Sequence, residues 1–191
     1  MKFRIGNFIV SFNIYRLPKT ITIGVTNQTK DRKFILFADY DLVDFSVVLE
    51  DAKYIYEEFD IKPILILKTK EFYNVESERI VGSYHLINFD KFEFDELIKI
   101  LKKLRCDDHF KKGYRYQYRN WVLRILEKKS FDGKIKSNRP EYKMLIKGYS
   151  KREGSLGHIL LYEKLYNINI RRFYKKLDNN KEVEIIRYVT S

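Results

Sequence analysis

Two aspartates separated by one tyrosine follow five apolar residues in segment 34–41 (FILFADYD). The apolar run contains aromatic and β-branched residues and predicts a buried strand. Side chains alternate along a strand, so Asp39 and Asp41 are expected on one face. Two neighbouring carboxylates repel each other, and a hard divalent cation with oxygen ligands relieves that repulsion. The segment therefore predicts either a metal site or a polar strand-to-helix turn.

The composition predicts a folded, basic protein with an anionic partner. The 191 residues are 45% hydrophobic and 16% aromatic, enough to build a sizeable core. Lys and Arg number 38 against 26 Asp and Glu, which gives a formal net charge of +12. Because cations contact phosphates and aromatic rings stack on bases, this combination favours nucleic acid as the partner.

Several classes of protein do not fit the sequence. Cys106 is the single cysteine, which excludes an intramolecular disulfide and a cysteine-rich zinc site. No signal-peptide pattern or long apolar segment is visible, so we expect a cytoplasmic protein with no membrane partner. The many Lys, Glu, Ile and Tyr residues suggest a thermophile, although AT-rich codon usage gives a similar bias.

The pattern from residue 34 to 126 predicts the order β-α-β-β-α-β. The elements are a strand over 34–38, a helix over 45–59 with Asp44 or Ser46 as N-cap, strands over 64–67 and 81–87, a helix over 91–105 and a strand over 114–126. This order predicts an α+β fold with an RRM-like core. In such a core two helices cover one face of an antiparallel sheet, and its first and third strands are central neighbours.

The flanking regions are expected to complete one domain over residues 1–191. Residues 1–33 alternate in short runs and predict a small N-terminal β module of two or three strands. The mixed, basic C-terminal extension begins at residue 127. Its predicted elements are a short strand or turn over 141–149, a helix over 155–165 and a strand over 183–189.

Further polar residues lie on the predicted sheet. Alternation places Ser83 and His85 on one face of the third strand, and Arg119 and Arg124 lie in the fourth. Because the first and third strands are neighbours, both aspartates and the histidine are expected on the open face opposite the helices. Carboxylates that hold metal, with a basic group near a triphosphate, are what two-metal nucleotidyl transfer requires.

The arrangement resembles the catalytic core of archaeo-eukaryotic primases and related primase-polymerases. That superfamily has an apolar strand ending in Asp-x-Asp or Asp-x-Glu, a small-x-His element on a later strand, and a third acidic residue. Asp39-Tyr40-Asp41 and Ser83-Tyr84-His85 match the first two, and the likeness covers roughly residues 34–126. It implies a metal-dependent nucleotidyltransferase of replication or repair that uses nucleoside triphosphates and acts on nucleic acid. We favour DNA over RNA as that nucleic acid, although the sequence leaves both open.

The resemblance also implies roles for individual residues. Asp39 and Asp41 would bind Mg or Mn, and His85 would contact the phosphates of the nucleotide. Ser83, Arg119 and Arg124 are further candidates for binding nucleotide or phosphate. A protein partner in a replication complex is also expected.

The third acidic residue of the family is missing from the strand where the family places it. Asp107 and Asp108 lie upstream, in the loop after the second helix, and Asp108 is our candidate for the third metal ligand. Asn120 is the alternative at the position of the family's acid. Without a third ligand, the protein is expected to be a catalytically inactive module that binds nucleic acid.

Each candidate also has a structural interpretation. His85 can be a hydrogen-bonded histidine within a sheet, Arg124 part of a solvated basic edge, and Trp121 a core residue. Two other enzyme classes share part of the pattern. A sugar-nucleotide transferase needs a longer chain and a nucleotide-binding β-α-β-α start, which residues 1–33 do not supply. An aspartyl-phosphate phosphatase has Gly-Thr after its second aspartate, where this chain has Leu-Val.

Overall fold

The computed structural model describes residues 2–5, 8–11, 20–108, 111 and 121–190, and these have a mixed α+β fold. The elements in chain order are β1 Lys2–Ile5, β2 Phe8–Ser11, β3 Thr20–Thr26, β4 Phe34–Asp44, α1 Phe45–Glu58, β5 Ile64–Asn74, β6 Arg79–Phe92, α2 Phe94–Leu101, β7 Val122–Arg124, β8 Lys128–Lys129, β9 Ile135–Ser137, β10 Glu141–Ile146, β11 Ser150–Gly154, α3 Leu156–Tyr166, the 3-10 helix Arg171–Phe173, β12 Tyr174–Leu177 and β13 Ile185–Thr190. The predicted α+β class is confirmed.

The main sheet is organised around the long strand β6. Both β4 and β5 pair antiparallel with β6, so the first and third strands of the predicted core are neighbours, as expected. On the outer side of β5, β10 adds an antiparallel strand, while β11 pairs with the end of β6 and β12 runs parallel to β11. The apolar start of β5, residues 64–67, is fully buried, which fits a strand inside the sheet.

Helix α1 packs on one face of this sheet. It begins where predicted, because the carboxylate of Asp44 accepts a hydrogen bond of 2.8 Å from the backbone N–H of Ser46. At its start the Phe45 ring lies 5.0 Å from the ring of Tyr84 on β6. Six residues later its buried Asp51 accepts a hydrogen bond of 2.9 Å from the hydroxyl of Tyr40 on β4. The even-numbered side chains of β4 and β6 near the site therefore face α1.

The RRM-like arrangement predicted that the opposite face of the sheet is open. In the structure this face is partly covered. Helix α3 covers part of it, since the Tyr162 ring lies 6.5 Å from Phe37 and 5.3 Å from Phe89. Phe37 lies two residues before Asp39 and shares its face. None of the helices that the structure describes has both the length and the apolar character needed to cross a membrane.

The predicted fourth strand belongs to a second sheet over its described part. β7 pairs antiparallel with β3 rather than with β4, whereas residues 114–120, including Arg119, lie outside the described part of the chain. Asn27 holds the residue before β7 close to the start of β4. Its side chain accepts a 2.9 Å hydrogen bond from the N–H of Trp121 and donates one of 3.1 Å to the carbonyl of Ile35. Trp121 is 2% exposed, which confirms it as a core residue.

Both flanking regions are more interleaved than their sequence patterns indicated. β1 and β2 pair with each other, but β3 pairs with β13 near the other end of the chain. The C-terminal region also supplies β10, β11 and β12 to the main sheet. His158 of α3 joins the two sheets, because its Nε2 lies 2.8 Å from the carbonyl oxygen of Thr26. Pairing between such distant segments leaves no local signal in a sequence.

Candidate active site

Asp39 and His85 lie directly opposite each other on the neighbouring strands β4 and β6. The Nε2 atom of His85 lies 3.6 Å from Oδ1 of Asp39, in contact but beyond hydrogen-bond distance. The Asp39 side chain is 30% exposed, whereas His85 is only 3% exposed. The structure therefore brings the predicted pair together, but the expectation that His85 lies on an open face was wrong.

His85 is neutral in the folded protein. Burial lowers the pKa of its imidazole to about 3, and the positive charges of Arg124 and Lys128 lower it further in the same direction. Its Nδ1 atom is buried without a hydrogen-bond partner among the described residues. A buried, neutral imidazole differs from the basic group that was expected beside a triphosphate. Its uncharged ring lies next to the Asp39 carboxylate, on the more buried side.

The charges of two further carboxylates, those of Asp41 and Asp107, act on Asp39. Burial raises the pKa of Asp39 to about 7, and the negative charges of Asp41 and Asp107 contribute in the same direction. Arg124 and Lys128 partly offset this effect. At pH 7 a substantial fraction of Asp39 is therefore protonated, and a bound cation would favour its ionised form.

Asp107, rather than Asp108, is the acidic residue beside the aspartate pair. Its backbone N–H donates a 2.8 Å hydrogen bond to the carbonyl oxygen of Asp39, and its side chain is half-buried. Asp108 is exposed and forms an ion pair of 3.5 Å with Lys111. The structure therefore favours Asp107 over the predicted Asp108 as third ligand, while Asn120 lies outside the described residues. The buried neighbours Leu104 and Cys106 were the sequence signal that this loop packs against the core.

Asp51, which no sequence motif singled out, fixes the position of this loop. Its carboxylate accepts hydrogen bonds of 2.6 Å from the backbone N–H of Arg105 and 2.8 Å from the Arg105 Nε. The same carboxylate accepts a hydrogen bond from the hydroxyl of Tyr40. One buried acid therefore links α1, β4 and the loop that carries Asp107. An acidic residue next to the buried positions Val48 and Ala52 of an amphipathic helix was the available signal.

The backbone leaves regular strand geometry immediately after Asp41. The β4–β6 register shifts between Tyr40 and Val43, and Leu42 has a φ of 52°, in the left-handed region. Leu42 is also 59% exposed, and the Ser83 hydroxyl accepts its backbone N–H at 3.2 Å. Ser83 thus supports the turn that carries the exposed Asp41. Strained backbone of this kind is often found at functional sites.

Arg124 is buried beside the carboxylates, which contradicts its alternative interpretation as a solvated basic edge. It is 7% exposed and donates to the carbonyl oxygens of Leu126, at 3.2 Å, and Asn138. Its charge acts on both Asp39 and His85. The guanidinium therefore compensates part of the negative charge of the site.

The donor chemistry of the site fits a divalent cation in part. Asp39, Asp41 and Asp107 offer the hard oxygen atoms that Mg and Mn prefer. In the part of the chain that the structure describes, however, no three His, Cys, Asp or Glu side chains already lie close enough together to hold one metal ion. Any cation would therefore have to draw these carboxylates together.

A cleft of about 400 Å³ adjoins the site. It contacts the site at two points. The Asn138 carbonyl in its wall accepts a hydrogen bond from Arg124, and the Thr69 hydroxyl donates one of 3.2 Å to the Ser83 carbonyl. The residues that line it are Lys68, Thr69, Lys70, Glu71, Lys136, Ser137, Asn138, Arg139 and Glu141. We call this feature the basic cleft.

Comparisons with known proteins place the chain in no family. No protein-family model matches it, and no curated protein or solved structure does so either. The chemistry of the site is therefore the basis for a functional proposal.

Replacing Asp39 with asparagine is expected to stabilise the protein at pH 8. Because the pKa of Asp39 is raised in the folded state to about 7, stability falls as the pH rises from about 4 through 7. Asparagine removes this penalty. We expect a gain on the order of 1–2 kcal/mol at pH 8, discounted for partial solvent exposure, and a much smaller one at pH 4. Urea unfolding at both pH values measures the difference, and equal gains would contradict it.

Proposed function

We propose that the protein is a metal-dependent, primase-like nucleotidyltransferase that acts on nucleic acid. The observation that carries this proposal is the position of Asp39 directly opposite His85, with the acidic residues Asp41 and Asp107 beside them. The Asp-x-Asp and small-x-His motifs thus lie on antiparallel neighbouring strands, which is the order that the resemblance to primases implies. The third acid supports catalysis over binding alone.

Each residue of the site has a role in the proposed reaction. Asp39 and Asp41, with Asp107, would hold Mg or Mn, which supplies charge neutralisation for phosphates and activation of an attacking hydroxyl. Arg124 limits the repulsion among the carboxylates, as its effect on the pKa of Asp39 indicates. Neutral His85 supports the Asp39 carboxylate from beneath, and Ser83 supports the backbone that carries Asp41.

The proposed substrates are nucleoside triphosphates and a nucleic-acid strand, DNA rather than RNA. The formal net charge of +12 supports a polyanionic substrate, because released counterions favour binding of a cationic surface to phosphates. Replication or repair is the proposed process, in which a replication protein would be a partner.

The second candidate function is an inactive module that binds nucleic acid. Two observations favour it: His85 is buried and neutral, and the described residues contain no preformed group of three metal ligands. Such a module would bind DNA or RNA in a salt-dependent manner, and its binding would survive loss of both aspartates.

Template-directed incorporation of nucleotides in the presence of manganese tests the proposal. The matched control is Asp39→Ala combined with Asp41→Ala, purified in the same way, because it reveals any contaminating polymerase. Incorporation by the wild-type protein alone supports the enzyme. Equal incorporation by both proteins would overturn it, and salt-dependent binding without incorporation would favour the second candidate.

A further inference from the structure

The basic cleft carries more positive charge than its own acids neutralise. Lys68 is paired with Glu141 at 3.4 Å, and Glu71 accepts a hydrogen bond of 2.7 Å from Lys143 outside the cleft. Three exposed cations remain that form no ion pair among the described residues: Lys70, Lys136 and Arg139. They come from both walls, one from β5 and two from the β9–β10 region. Cations that converge on a cleft without internal partners favour an anionic ligand.

An exposed aromatic ring lies beside these cations. Phe72 is two residues beyond Lys70 on β5, and the Lys70 Nζ lies 5.4 Å from the centre of its ring. Phe72 is 42% exposed, and the neighbouring strand β10 pairs with β5 no further than Lys68. The hairpin of β5 and β6 thus carries a ring next to the cationic wall. Cations beside an exposed ring can bind a phosphate backbone and a base together.

We propose that the basic cleft binds single-stranded nucleic acid. Lys70, Lys136 and Arg139 contact successive phosphates, and one base stacks on Phe72. A single strand fits better than a duplex, because a base can lay its face on an aromatic ring only when it has left the base stack.

Two residues of the cleft are hydrogen-bonded to neighbours of the carboxylates. Its wall contacts the site through Asn138, which accepts from Arg124, and through Thr69, which donates to Ser83. We place a strand held in the cleft on the side of the sheet that leads toward Asp39. This placement rests on the proposed function, whereas binding to the cleft does not.

Fluorescence anisotropy with labelled oligo(dT) tests this proposal. The variant that combines Lys70→Ala, Lys136→Ala and Arg139→Ala is expected to bind on the order of 30–100-fold more weakly at low salt. Its salt dependence should fall by about 2 in the slope of log K against log salt, since each lost contact to a single strand removes about 0.7. Phe72→Ala alone is expected to weaken binding by about tenfold.

Matched control variants distinguish binding at the basic cleft from non-specific attraction to the positive charge of the whole protein. Lys175→Ala with Lys176→Ala and Lys181→Ala removes the same charge from exposed lysines outside the cleft. Phe131→Ala removes an exposed ring that lines a different pocket, whereas Phe72 lies beside Lys70 of the cleft. Both are expected to bind within about twofold of the wild type, because only non-specific attraction changes. Equal weakening by the two triple variants would overturn the proposal.

Two further outcomes distinguish this inference from the proposed activity. The Asp39→Ala, Asp41→Ala protein is expected to keep its affinity for oligo(dT). If the wild-type protein incorporates no nucleotide but binds oligo(dT) through the cleft, the proposed activity fails and the proposed binding site stands. Unchanged oligo(dT) affinity in the cleft variant, together with a raised KM for nucleoside triphosphate, would show that the cleft binds the triphosphate instead. That result would overturn the proposal of a nucleic-acid strand.

Discussion

Asp107→Asn is expected to reduce manganese-dependent nucleotide incorporation by on the order of 100-fold, whereas Asp108→Asn should leave it within about twofold. Asp107 is held at Asp39 by a backbone hydrogen bond of 2.8 Å, and its charge raises the pKa of Asp39. Asp108, next to it in sequence, is exposed and paired with Lys111. Each substitution removes one negative charge without a large change in shape, so the two variants differ chiefly in position.

The assay for this prediction combines incorporation with metal binding. The hydrogen bond between Asp107 and Asp39 uses the Asp107 backbone N–H, so asparagine preserves it and the loop should keep its position. Thermal unfolding with increasing manganese should show a smaller stabilisation for Asp107→Asn than for Asp108→Asn. A loss of activity confined to Asp108→Asn would identify Asp108 as the third ligand and contradict the assignment of Asp107.

The pairing of Asp39 with His85 was predictable because it depends on local patterns. An apolar strand, a helix and two further strands fix which strands become neighbours, and alternation then fixes the face of each side chain. The position of Asp107 was not predictable in this way. It depends on the contact between the loop after α2 and Asp51 of α1, across more than 50 positions of the chain. Hydrophobic periodicity identifies the buried face of α1 but not which loop contacts it.

The burial of His85 shows the same limit. Its strand was expected to have one face open, because a split β-α-β-β-α-β order supplies helices to one side of the sheet only. In the structure, α3 contributes Tyr162 to the other side, and Arg124 approaches from the second sheet. That sheet depends on β3 and β13, which lie near opposite ends of the sequence. No local pattern predicts which distant segment covers a given face.

Asp51→Ala is expected to lower the free energy of unfolding by about 3 kcal/mol. The substitution leaves the Tyr40 hydroxyl and the Arg105 backbone N–H without their acceptor, and both are held by the Asp51 carboxylate in the folded protein. Arg105 is partly exposed, so the lost ion pair itself contributes little. Urea unfolding measures the change, and thermal unfolding should show a decrease of roughly 8 °C.

Tyr40→Phe is the matched control, because it removes one of these hydrogen bonds and leaves the contact between Asp51 and Arg105 intact. Its expected loss is about 1 kcal/mol. If Asp51 also positions the loop that carries Asp107, Asp51→Ala should lower nucleotide incorporation more than Tyr40→Phe does, at a temperature where both proteins remain folded. Equal incorporation by the two folded variants would mean that Asp51 stabilises the fold without positioning the site, since only Asp51→Ala removes the hydrogen bonds that fix this loop.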